Sequence, residues 1–105
     1  MAFRGGIQEL MKQANRMQVK LEHMKEEIKD REIIGQALEG KVKAVVNGNR
    51  EVLRLEFKLE DFEGDIELLQ DTVVAAVNDG LRLADDLVDE ETKKITGGLN
   101  LPGFF

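Results

Sequence analysis

Catalysis needs titratable, nucleophilic or metal-binding side chains gathered in one place, and this sequence offers few of them. It contains a single histidine, His23, and no cysteine. The missing cysteines remove thiolate nucleophiles, disulfides, zinc–thiolate sites and iron–sulfur clusters together, and fit a reducing compartment. With one imidazole and no thiol, a metal site would have to be nearly all carboxylate, which suits magnesium or calcium. Asp85-Asp86 and Asp89-Glu90-Glu91 are the candidates, but such runs are ordinarily solvated acidic helix faces. Thr92 and Thr96 have no base near them in sequence, and Gly5-Gly6 and Gly97-Gly98 lack the spacing of phosphate-cradling loops. The inventory argues against an enzyme, so no catalytic residue, metal or cofactor is expected.

Charge is the remaining resource. The net charge is −6, from 15 basic and 21 acidic residues, which taken in bulk disfavours phosphate binding. The distribution is uneven. Residues 1–31 carry seven Lys/Arg against five Asp/Glu, and residues 61–105 carry three against eleven. Lys12, Arg16 and Lys20 recur every four residues, which puts them in one row on a helix. If the chain binds nucleic acid, this row must supply the backbone contacts. The five aromatics are all Phe, with no interleaving on the strands, and no zinc-finger or helix-turn-helix spacing appears, so base-stacking platforms are not expected. Read from composition alone, the row is equally a solvated basic face balanced by Glu22, Glu26 and Glu27.

The element that carries the row also carries a seam. Ile7, Leu10, Ala14, Met17, Leu21, Met24 and Ile28 follow one another at alternating steps of three and four, a heptad pattern that lays a narrow apolar stripe along one helix over 7–30. Such a helix is about 36 Å long, more than a domain of this size needs to cover its own core. Part of it should project, or pair with the same helix of a second chain. Val19 falls at the position furthest from the seam, an exposed apolar side chain.

After Arg31 the period changes. Residues 32–38 read as a short first strand. In Lys41 to Val46 the residues Val42, Ala44 and Val46 share one face, with Lys41, Lys43 and Val45 opposite. Asn47-Gly48-Asn49-Arg50 predicts a hairpin built on positive φ at Asn-Gly. The return strand, residues 51–58, alternates with Leu53, Leu55 and Phe57 inward and Arg54, Glu56 and Lys58 outward. A polar connector, with room for a single helical turn, leads to Asp65 as N-cap of a second helix running to about Ile95. Its expected stripe is Ile66, Leu69, Val73, Ala76, Val77, Leu81, Ala84 and Val88. Lys93 and Lys94 suit its C-terminal dipole and Gly97-Gly98 ends it. The tail, Leu99 to Phe105, is apolar and contains Pro102.

The expected class is therefore α+β, in the order α-β-β-β-α. A single domain covers residues 1–105, with a helical arm over 1–31, a three-stranded antiparallel meander within 32–60, a second helix over 65–96 and an apolar tail over 97–105. The start of the chain has no apolar signal core, and the longest apolar run is Val73 to Val77, so a cytoplasmic protein with no membrane partner is expected.

Several of these segments together resemble the YbaB/EbfC family of bacterial nucleoid-associated proteins. The resemblance is carried by Leu10-Met11-Lys12-Gln13-Ala14, Met17-Gln18, Lys20 and Glu26-Glu27-Ile28. It continues through Gly40-Lys41-Val42-Lys43, Val46-Asn47-Gly48, Ala75-Ala76-Val77-Asn78-Asp79 and Gly97-Gly98-Leu99-Asn100-Leu101-Pro102-Gly103-Phe104. It covers almost the whole chain in order. It implies a homodimer of tweezer shape whose helical arms flank a gap for double-stranded DNA, bound with limited sequence preference in the nucleoid. Effects on chromosome organisation, gene expression or DNA repair would follow. Lys12, Gln13 and Lys20 match polar positions of the family pattern, and with Arg16 they form the expected DNA-binding set. The competing reading is a protein–protein adaptor that engages recombination or repair factors through the helix seam and the apolar tail.

Overall fold

Two long amphipathic segments flank three short β-branched ones, and the chain folds in that order. The structure, a computed structural model, describes residues 2–97, with side-chain detail from residue 6 onward. Gly98 and the apolar tail lie outside the described residues. Helix α1 (Ala2–Ile28) is followed by strands β1 (Glu32–Ala37), β2 (Val42–Asn47) and β3 (Val52–Phe57), a single 3-10 turn (Leu59–Phe62) and helix α2 (Ile66–Thr96). This is the α-β-β-β-α order. Helix α1 runs through Gly5-Gly6 rather than starting after them. Gly6 keeps a negative φ, so the pair lowers helix propensity without breaking the helix.

The sheet is an antiparallel meander in the order β1-β2-β3. The first turn, Leu38-Glu39-Gly40, uses three successive positive φ values. The second turn differs from its sequence reading. Positive φ falls on Arg50, not on Asn47 or Gly48. The hairpin is a three-residue loop closed by a bond from Asn47 N–H to the Glu51 carbonyl at 3.0 Å, and a register shift follows between Val45 and Val46. A left-handed residue after a tight turn and an adjacent bulge are how such loops match strand twist.

Helix α2 is capped as its sequence suggests. Leu68 N–H donates to Asp65 Oδ1 at 3.0 Å, and Gly97 closes the helix at φ 65° with its N–H on the Lys93 carbonyl at 2.8 Å. Its seat on the sheet follows the expected stripe at Ala76 and Ala84 but is centred on smaller residues than the stripe as a whole. The buried line is Thr72, Ala76, Gly80 and Ala84, one small residue every four. Leu69, Val73, Val77, Leu81 and Val88 flank it half-buried, and Ile66 is exposed. Small residues line the contact because the backbones nearly touch. A Cβ added at Gly35 would stand 2.2 Å from Gly80 N and 2.4 Å from the Ala76 carbonyl oxygen. Thr72 lies in this tight layer with its hydroxyl donating to the Leu68 carbonyl at 2.6 Å.

So close a seat covers a narrow strip. Helix α2 packs on β1 and β2, and every residue of β3 is exposed. Phe57, expected in the core, is 40% exposed, and Leu53 and Leu55 are also open. The buried phenylalanine is Phe62, delivered by the 3-10 turn onto Val42, Ala44 and Ala76. Val45, on the opposite face with Lys41 and Lys43, is also fully buried. It is paired between Ile34 and Arg54, and the Arg54 guanidinium donates across β2 to Glu32 Oε1 at 2.6 Å, roofing the face away from α2.

The backbone contact sets an expectation. Gly35→Ala must lift the helix off the sheet, because the added carbon meets backbone rather than a movable side-chain end, and should cost about 3 kcal/mol or more. Gly80→Ala meets the Val46 methyls at 3.2 and 3.3 Å and Gly35 N at an ordinary contact distance of 3.4 Å, and the helix-propensity gain of about 1 kcal/mol offsets that crowding. Urea unfolding of both variants measures the contrast, and equal losses would contradict it.

Candidate functional site

A domain of 105 residues usually has a radius of gyration near 13 Å, whereas this one measures 20.0 Å with a long axis of 76 Å. The excess is α1. Leu21, Met24 and Ile28 are buried against Leu87, Val88 and Ile95 of α2, with Met17 packed beside them. The hairpin meets the end of α1 at Ile28 and reaches α2 at Asp85. From that level α1 leads back to Met17 while α2 leads on to Ile95, so the two helices run antiparallel. Beyond Met17 none of the described side chains of α1, residues 6–16, is buried. From Met17 back to Ala2 the helix extends about 22 Å, forming an arm.

The seam is thus divided. Its C-terminal residues Leu21, Met24 and Ile28 pack within the chain, Ala14 and Met17 are half-buried, and Ile7 and Leu10 are exposed. Lys12, Gln13, Arg16 and Lys20 are all exposed. At 100° per residue Lys12 and Arg16 lie on the side of the helix away from the seam, while Lys20 lies on the seam's flank, about 80° from its midline. Residues 2–21 hold four basic residues and one acid. The arm is therefore locally positive on a chain that is negative overall, which gives its field a direction. Val19 is exposed, 53%, and His23 is also exposed on this helix.

The root of the arm is held by the hairpin. A Cβ at Gly48 would lie 2.0 Å from the Ile28 carbonyl oxygen, so Gly48 is required for close approach to the helix end. Buried Asn47 organises the turn. Its Oδ1 accepts from Asn49 N–H at 2.9 Å and Glu51 N–H at 3.0 Å, and its Nδ2 donates to Glu51 Oε1 at 3.0 Å. The amide hydrogen bonds from Asn47 and Asn49 hold the Glu51 carboxyl below its ordinary value, with a smaller contribution from nearby Lys29. Lys29 is itself pushed up by its bond to Glu26, 2.9 Å away. Arg50 donates to both oxygens of Asp85 at 2.5 Å, tying the hairpin to α2 and raising the guanidinium further.

The carboxylate runs are otherwise engaged or dispersed. Asp85 holds Arg50, and Glu91 accepts from Lys94 at 3.0 Å. Among the described residues no group of three or more His, Asp or Glu side chains is placed to hold a metal ion. A cleft of about 430 Å³ lies at the far end of the sheet between Lys41, Lys43, Lys58, Phe57, Glu56 and Asp61. It is open and mixed in charge, unlike the apolar concave sites that bind small molecules, and contains none of the arm residues. No helix among the described residues is long and apolar enough to cross a membrane.

The sequence model of the YbaB/EbfC DNA-binding family matches residues 4–99. A nucleoid-associated protein of Thermoanaerobacter pseudethanolicus is 42% identical over 106 residues, covering 98% of this chain and 96% of the relative. One of Acetivibrio thermocellus is 42% identical over 105 residues, covering 98% and 93%. One of Pelotomaculum thermopropionicum is 38% identical over 102 residues, covering 96% and 97%.

Acid should reveal the hairpin anchor. The depressed Glu51 value makes its contribution complete above the ordinary glutamate range and lost as pH falls through the lowered value. The melting temperature of Glu51→Gln should therefore lie below that of the parent at about pH 7, with the gap closing towards about pH 3. A gap independent of pH would refute this role for the carboxylate.

Proposed function

The chain belongs to the YbaB/EbfC DNA-binding family, and from that membership we propose that it binds double-stranded DNA as a homodimer with limited sequence preference, through the exposed faces of its α1 arms. The observation that carries the reading is the solvent-facing row of Lys12, Arg16 and Lys20, with Gln13 beside it, on a projecting helix. Phosphate neutralisation by such a row gives salt-sensitive, largely sequence-independent affinity. The acidic second helix keeps the body off the phosphates and leaves the arm as the approach surface. The reading assigns no catalytic step and no cofactor. It gives the protein a place on the chromosome within the cytoplasm, as the names of its relatives suggest for them.

Support for the dimer comes from β3. It is an edge strand whose outer backbone groups have no partner in the sheet, and it presents Val52, Leu53, Leu55 and Phe57 to solvent. A long apolar edge is a template for pairing with another strand. Two copies joined there would present two arms and double the phosphate contacts. The adaptor reading, with recombination or repair factors as partners, draws on exposed Val19. Nuclease treatment of a lysate separates the two, since co-purification mediated by DNA alone is then lost.

Two measurements test the proposal. In a duplex titration at several salt concentrations, the triple variant Lys12→Ala, Arg16→Ala, Lys20→Ala should bind at least about tenfold more weakly, with a log–log salt slope reduced by about 0.9 for each phosphate contact removed. Unchanged affinity and slope would sink the assignment. Leu55→Asp with Phe57→Asp should convert the parent dimer to a folded monomer, read by light scattering, because two charges would enter a paired apolar edge. A variant that remains dimeric moves the interface elsewhere.

A further inference from the structure

The three-stranded sheet has two edges, and they differ. Strand β3 forms one of them, with every residue exposed. Strand β1 forms the other, and α2 is seated over it where the Gly35 and Gly80 backbones nearly touch. Along an antiparallel strand the N–H groups point alternately towards the partner strand and away from it. Gln36 N–H belongs to the outward set, and it is taken. It donates to Asp79 Oδ2 of α2 at 3.0 Å. The second oxygen of that carboxylate accepts from Arg82, one turn further along the helix, and the Asp79 side chain is 22% exposed.

Asp79 is not needed for the seat of the helix, which Thr72, Ala76, Gly80 and Ala84 already make. It stands next to Gly80, about 100° round the helix from the contact line, and its carboxylate lies on the outer side of β1. A strand arriving at this edge must offer a carbonyl to Gln36 N–H. It would meet a donor already bonded and a negative charge facing its own carbonyl oxygen. Charge placed at a sheet edge is a general bar to pairing. Strand β1 needs such a bar, because its sequence, Glu32-Ile33-Ile34-Gly35-Gln36-Ala37, has neither Lys nor Pro and Ile34 is 53% exposed.

We propose that Asp79 closes the β1 edge to a second copy of the chain and confines strand pairing to β3. That β3 is the edge in use rests on the proposed dimer, whereas the closure of β1 rests on its own geometry. With both edges open, each copy would join two neighbours and the assembly would have no end. With one edge closed, two copies related by a two-fold axis complete it. A single carboxylate therefore sets the size of the assembly.

Light scattering of the full chain over a concentration series tests this. Asp79→Ala, with its helix content checked by circular dichroism, should gain mass with concentration and reach at least about twice the parent value. Adding Ile34→Lys, which returns a charge to the same edge, should restore the parent mass. In the background of Leu55→Asp with Phe57→Asp, Asp79→Ala should stop at two chains joined through β1. A folded Asp79→Ala protein that keeps the mass of its background at every concentration would overturn the closure, and so would growth that Ile34→Lys leaves intact. Failure of the β3 reading looks different, since Leu55→Asp with Phe57→Asp then stays dimeric with Asp79 in place. The parent chain gives a second reading that needs no variant. Its Gln36 amide should exchange at least about tenfold more slowly than that of Ile34, the neighbouring outward group, and equal rates would overturn the proposal.

Discussion

Everything in this fold is arranged around a near-contact of two backbones, β1 at Gly35 and α2 at Gly80. Helix–sheet packing through large side chains spreads a helix's influence over several strands. Here the helix is drawn down until the Gly35 position has room for a hydrogen and nothing more. Thr72, Ala76, Gly80 and Ala84 then form the contact line, and larger apolar residues are displaced to its flanks. The strip covered is two strands wide. The third strand is left with exposed apolar side chains and an unpaired edge.

The elements were legible in the sequence because each carries a strong local signal. Asp65 and Gly97 mark the ends of α2, the heptad steps mark α1, and the Asn47-Gly48 pair marks a turn. The burial pattern was less legible. Alternation in β3 says that Leu53, Leu55 and Phe57 share a face, but not whether anything covers that face. Val45 alternates with lysines, and its cover is a salt bridge between the two strands that flank its own, Arg54 to Glu32, a long-range pairing that no local period encodes. Gly48 was read for its backbone freedom, whereas its need is steric, set by the Ile28 carbonyl twenty positions earlier in the chain. The seam is the clearest case. Its steps are uniform from Ile7 to Ile28, so nothing local indicates that α2 covers only the latter part. The polar residues of the candidate site were visible as a row with a four-residue period, yet a row of that kind has the same appearance on any solvated helix. Its projection beyond the body became apparent only with the length of α2 and the path of α1 known.

Charge follows the same geometry. Residues 2–21 are net basic, while the part of α2 beside the root of the arm carries Asp85, Asp86, Asp89, Glu90 and Glu91. Along the long axis the molecule is therefore an electric dipole, positive at the protruding tip and negative where the arm joins the body. A polyanion approaching such an object is turned tip-first before it touches anything. A negative net charge is thus compatible with a locally positive arm, since steering depends on the local field within about a Debye length rather than on the total.

Gly48 against the Ile28 carbonyl also has a mechanical meaning. The hairpin is a hinge block set under one end of a rigid rod whose rise from Ile28 to Ala2 is about 39 Å. A rotation of about 5° at that block carries the far end through about 3 Å, comparable to half the spacing between successive phosphates on one strand of a duplex. The position of the rod's far end is therefore decided not along its length but by a few atoms of a β-turn at its base.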